Sequence, residues 1–125
     1  MVREELVQLV KRKLLSGWAV IAGIKPCVDT VIRENGAELE PLSNGCTVVG
    51  FIRKTEALMR RLGLDTESFK RVILVMADMP LPGKCLVEAL VFEEDLEKSV
   101  EPLAEFIEGV MNRLRHMAAY PKSLS

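Results

Sequence analysis

The apolar positions change period several times along the chain, and each change marks an element. From residue 2 to 16, Val2, Leu6, Leu9, Val10 and Leu14 recur at three-to-four spacing, which predicts an amphipathic helix. Glu4 and Glu5 sit early in it and Lys11, Arg12 and Lys13 late, the charge order a helix dipole favours. Ser16-Gly17 ends it. Residues 18–24, WAVIAGI, are then continuously apolar, as expected for a strand covered on both faces.

Pro26 suits the first turn of a second helix, with Val28, Val31 and Ile32 on one face and Asn35-Gly36 as its stop. Residues 37–42, AELEPL, alternate, but Pro41 restricts them to an edge strand or a loop. Ser43-Asn44-Gly45 is turn chemistry. Residues 46–52, CTVVGFI, predict the next strand, with Gly50 as a bend. A helix over 54–62 ends at Gly63, with Arg60 and Arg61 near its negative end. Residues 64–70 predict a tight turn or short helix.

RVILVMAD (71–78) and CLVEALVF (85–92) are the last two strands. The loop MPLPG between them is too short for a helical crossover, so they pair antiparallel. From Glu94 to about Ala118 the period returns to helical. At about 100° per residue, Leu96, Val100, Leu103, Phe106, Ile107, Val110, Met111, Leu114 and Met117 share an arc of about 140°. Pro102 fits this helix if Ser99 caps it and leaves the proline in the first turn.

The order is α-βαβα-ββ-α, which predicts an α/β fold: a small mixed four-stranded sheet flanked by helices, one domain over 1–125. Strands joined through helices pair parallel in this reading. The βαβαββα core resembles the order of the thioredoxin fold. That likeness places Ile24 and Cys27 at the two cysteine positions of the active turn, so no disulfide forms within the turn. Lys70-Arg71 stand where that fold carries a proline before its third strand. AVIAGIKPCVDTVIRENGAEL resembles the strand-helix unit of STAS-type regulatory domains over some 20 residues, and the remaining chain does not follow that family's order.

Charge narrows the partners. Lys plus Arg total 17 against 18 Asp plus Glu, where nucleic-acid binders carry a basic excess or stripe. The basic clusters Lys11–Lys13, Arg53-Lys54, Arg60-Arg61 and Lys70-Arg71 fall mostly at helix ends, and aromatics for base stacking are missing. Nucleic acid is therefore not the expected partner. No apolar run is long enough to span a membrane, and the charged N-terminal helix does not read as a signal peptide. Three scattered cysteines, Cys27, Cys46 and Cys85, do not form a secreted disulfide framework, so a cytoplasmic setting is expected. One glutamine and three asparagines beside abundant charge suggest a thermophile, with melting above about 60 °C as the expectation.

Candidate chemistry concentrates where the first strand hands over to its helix. Cys27 follows Pro26 at a helix start, where backbone N–H groups, the dipole and Lys25 favour a thiolate. It is the candidate catalytic residue, beside the alternative of a packed core cysteine. Gly23, Lys25 and Thr30 at the same helix mouth are candidate contacts for a small anionic ligand. Asp78, ending the best strand, either faces that crevice or begins the turn ADMPLPG. There is no GxGxxG or GxxxxGK[ST] motif. One histidine and three separated cysteines predict no metal site, and no cofactor is expected.

The leading expectation is a small cytoplasmic binding or regulatory module without catalytic machinery, homodimeric through the wide apolar stripe of its last helix. The alternative is a thiol- or anion-dependent activity centred on Cys27.

Overall fold

The computed structural model describes residues 2–119, with side chains to residue 116. The elements follow as α1 (Arg3–Leu15), β1 (Trp18–Ile24), α2 (Lys25–Asn35), β2 (Leu39–Asn44), β3 (Thr47–Arg53) and α3 (Glu56–Arg61). A 3-10 turn (Thr66–Lys70), β4 (Val72–Leu81), β5 (Lys84–Phe92) and α4 (Leu96–Ala119) complete the chain order. Gly36, at φ 56°, closes α2 in the left-handed region that glycine occupies without strain.

The sheet has five strands, not four, in the order β2-β3-β1-β4-β5. The additional strand is the proline-bearing segment: β2 survives as an edge, with Pro41 beside a bulge, where a missing N–H costs no interior ladder bond. Its presence also corrects the expected pairing. β1 and β3 are antiparallel, Trp18 opposite Arg53 and Ile24 opposite Thr47. The α2 crossover does return the chain in the direction of β1, but the strand it delivers, β2, lies one place out. β3 then turns back through Asn44-Gly45-Cys46 and fills the gap. β1 is parallel to β4 instead, with Val20 opposite Leu74. The parallel first pair required by the thioredoxin likeness is therefore absent.

β4 and β5 form the expected hairpin, tighter than the sequence suggests. The strands run on to the pair Leu81–Lys84 past an irregularity after Asp78, leaving Pro82-Gly83 as the turn. Proline followed by glycine at φ 79° is the combination a type II turn requires.

Helices cover both faces. On one, α1 and α4 enclose Leu6, Val10, Trp18, Val20, Phe51, Leu74, Leu103 and Ile107. On the other, α2 and α3 enclose Ile21, Val28, Val31, Ile52, Leu58, Ile73 and Val75. β1 is central and buried from Trp18 to Ala22, which explains its unbroken apolar run. The start of α4 differs from expectation. Asp95, not Ser99, caps it, accepting from Lys98 N at 3.0 Å. Ser99 is buried inside the helix with its hydroxyl donating to Asp95 O at 2.8 Å, so Pro102 stands in the second turn. The wide stripe of α4 is used within the chain: Val100, Leu103, Ala104 and Ile107 are buried, and Phe106, Val110 and Met111 pack against the same core as α1. Met117 lies outside the described side chains.

Candidate functional site

The parallel pair β1–β4 brings two strand carboxyl ends side by side, where open α/β sheets leave a crevice. On the α4 side this crevice is a cavity of about 320 Å³. Ala22, Met76, Phe106, Val110 and Leu114 form apolar walls, Gly23, Ile24 and Ala77 the floor at the strand ends, and Thr47, Asp78 and Arg113 supply polar groups. The size is at the lower end of small-molecule sites, and the mix of apolar walls with a few polar groups is typical of them.

Two of the sequence candidates meet here. Gly23 and Asp78 both line the cavity. Gly23 is glycine for a packing reason: a Cβ there would stand 2.0 Å from the Ala77 carbonyl oxygen. Asp78 is exposed, lies in β4 opposite Leu86 and accepts from Met79 N at 2.8 Å. Asp78 thus lines the crevice, while the turn it was alternatively expected to begin lies further on, at Pro82-Gly83.

The remaining candidates are placed elsewhere. Lys25 is paired with Asp29 at 3.1 Å, and its backbone N–H donates to Cys46 O at 2.9 Å. Thr30 turns inward on its own helix, donating to Pro26 O at 2.9 Å. Neither lines the crevice. Cys27 corrects the expectation of a free thiolate. It does stand in the first turn of α2, but it is wholly buried among the core of the α2 face and bonded to Cys85, with Cα atoms 5.4 Å apart. Cys46, at the β2–β3 turn, is exposed and is the free cysteine.

Sequence reasoning missed Phe106, Val110, Arg113 and Leu114 as site residues. Phe106, Val110 and Leu114 were visible as part of the apolar stripe of α4, whereas Arg113 carried no such signal. That the last described turns of α4 overhang the ends of β1 and β4 required its packing.

The basic clusters are largely occupied by partners within the chain. Lys11 pairs with Glu97, Lys13 with Glu40 and Arg71 with Glu93. Lys13 and Arg53 both lie over the Trp18 ring, at 4.7 and 4.3 Å from its centroid. Lys54 donates to Phe69 O and Arg71 O, at 3.1 and 2.6 Å, and its burial lowers its pKa below the usual lysine value. Among the described residues no group of His, Cys, Asp and Glu is arranged to hold a metal ion, and no helix is long and apolar enough to cross a membrane.

Fold and crevice together define a mixed α/β domain with one small, mainly apolar pocket at its strand ends. No family model, curated protein or solved structure matches the chain.

Proposed function

We propose that the chain is a ligand-binding regulatory module whose site is the crevice between α4 and the carboxyl ends of β1 and β4. The observation that carries this is the cavity itself: apolar on Met76, Phe106, Val110 and Leu114, with opposite charges available on Asp78 and Arg113. A compact ligand with an apolar body and an anionic head satisfies that lining. The body removes the walls from water, and the guanidinium of Arg113 offers planar donors to a carboxylate or sulfonate. In this reading the anion contact comes from α4 and not from the mouth of α2, because Lys25 already has Asp29 as its partner. Cys27 serves as one half of a staple.

The test uses anilinonaphthalene sulfonate, a fluorescent probe with an apolar ring system and one anionic group. Saturable binding at one site per chain is expected, lost in Val110→Trp, which fills the cavity, and weakened about tenfold in Arg113→Glu, about the worth of a charge-assisted hydrogen bond. Binding that Val110→Trp leaves unchanged overturns the reading.

A further inference from the structure

An exposed apolar surface on the β4–β5 hairpin starts at Met76, which also lines the crevice, and extends over Leu86 and Leu90. Antiparallel partners share a face of the sheet, so Leu90 lies beside Leu74, Glu88 beside Met76 and Leu86 beside Asp78, all on the side that α1 and α4 cover. The cover stops short of the edge strand. Leu74 is buried, whereas Met76, Leu86 and Leu90 are 38, 44 and 57% exposed. The intervening residues Cys85, Val87, Ala89 and Val91 pack into the opposite core.

β5 is also a bare edge. It runs nine residues, Lys84–Phe92, at the end of the sheet with no proline in it. The other edge, β2, is protected by Pro41 and a bulge, two devices that block strand addition. An edge without proline, with leucines on its uncovered face, is a template for a further strand whose charges complement Lys84 and Glu88.

We infer that the occupant is the β5 strand of a second copy of this chain, paired antiparallel about a two-fold axis at Leu86. Charge complementarity selects this arrangement. With Leu86 opposite its own mate, Lys84 faces Glu88 of the second copy and Glu88 faces its Lys84, two reciprocal ion pairs on the same face as the leucines. Centring the axis on Glu88 would overlap more residues but oppose Glu88 to Glu88, and like charges directly opposite destabilise a ladder. Centring it on Val87 opposes Lys84 to Leu90 and Leu86 to Glu88, which pairs no charges. The Leu86 register pairs residues 84–88 of the two β5 strands and joins two five-stranded sheets into one. It places the two-copy contact on β5, whereas the sequence pointed to α4.

The test is the solution mass of the intact protein at micromolar concentration, by sedimentation or light scattering, with charge variants at two exposed positions that leave the core untouched. The wild type is expected at twice its 14.0 kDa chain mass. Lys84→Glu is expected to raise the dimer dissociation constant at least about tenfold, since two attractive pairs become two repulsive ones. Adding Glu88→Lys restores the pairs with their signs exchanged and recovers the dimer. A monomeric wild type overturns the inference, as does a dimer whose strength Lys84→Glu leaves unchanged, and so does a double variant no tighter than the single. None of these outcomes depends on the ligand pocket.

Discussion

Cys27 and Cys85 are joined by a disulfide across 58 residues of sequence, tying the first turn of α2 to the edge strand β5. The bond passes through the core of the α2 face, with Cys27 fully buried. It therefore anchors an edge strand, which has a neighbour on one side only, to a helix that packs near the middle of the sheet.

Thiol counting tests the pairing directly. Alkylation of the unfolded, unreduced protein is expected to modify one cysteine, Cys46, and after reduction all three. In the loop-entropy picture a crosslink of this span is worth about 4 kcal/mol. Cys85→Ala is accordingly expected to lower the unfolding free energy by about 2–4 kcal/mol in urea titration. A loss below about 1 kcal/mol, within the scatter of ordinary surface substitutions, contradicts the anchoring role.

The disulfide removes the cysteine-based argument for a cytoplasmic setting, since such bonds persist in oxidising compartments and, inside cells, in hyperthermophile proteins. Together with the depletion of amides, this leads us to expect a melting midpoint above about 60 °C for the oxidised protein. Calorimetry with and without reductant checks it, and a midpoint inside the mesophile range for the oxidised form removes the thermophile reading.

Gly23 is held by space and not by an anion. An added Cβ meets the Ala77 carbonyl oxygen at 2.0 Å, a backbone atom that cannot swing aside as a side chain can. Gly23→Ala is expected to cost about 3 kcal/mol, the upper range for overpacking. Gly36→Ala, where nothing lies within 4 Å but φ is 56°, is expected to cost about 1 kcal/mol from backbone conformation alone. Equal costs at the two sites, by denaturant unfolding, refute the packing argument.

Lys54 links stability to alkaline pH. Burial lowers its folded-state pKa below the 10.5 of an exposed lysine, so near the top of that range the unfolded chain holds more protons than the folded one. Stability contributed at this site therefore rises with pH between the lowered folded value and 10.5. Lys54→Met removes the titration and leaves Phe69 O and Arg71 O without their donor. A net loss of about 1–2 kcal/mol at neutral pH is expected, with the gap to wild type widening as pH climbs toward 10.5. A gap that stays constant or narrows contradicts the shift.

Much of the layer architecture was legible because it rests on local patterns. The run WAVIAGI announced a strand buried on both sides, and β1 spans the same residues. Asn35-Gly36 stopped α2, and the short prolyl loop required β4 and β5 to be a hairpin. The register after Asp78 was hidden, since the strand continues through Met79 and Pro80 to Leu81. Two lining residues of the crevice were legible too: Gly23 and Asp78 stand at strand ends, where the rules for open sheets direct attention. Lys25 and Thr30 were misplaced because their partners, Asp29 and Pro26 O, satisfy them on their own helix.

By itself, then, the order of residues determined most element types, the two-sided cover of β1 and the strand ends at which a crevice is sought. These depend on period, turn chemistry and burial, which act over a few residues. Only the tertiary structure decided that β3 slides between β2 and β1, that Cys27 meets Cys85 and that α4 roofs the crevice while leaving β5 bare. Each of those is a choice between distant segments with similar local preferences. The choice is made by which faces bury the most apolar surface together, a quantity that no short window of sequence contains.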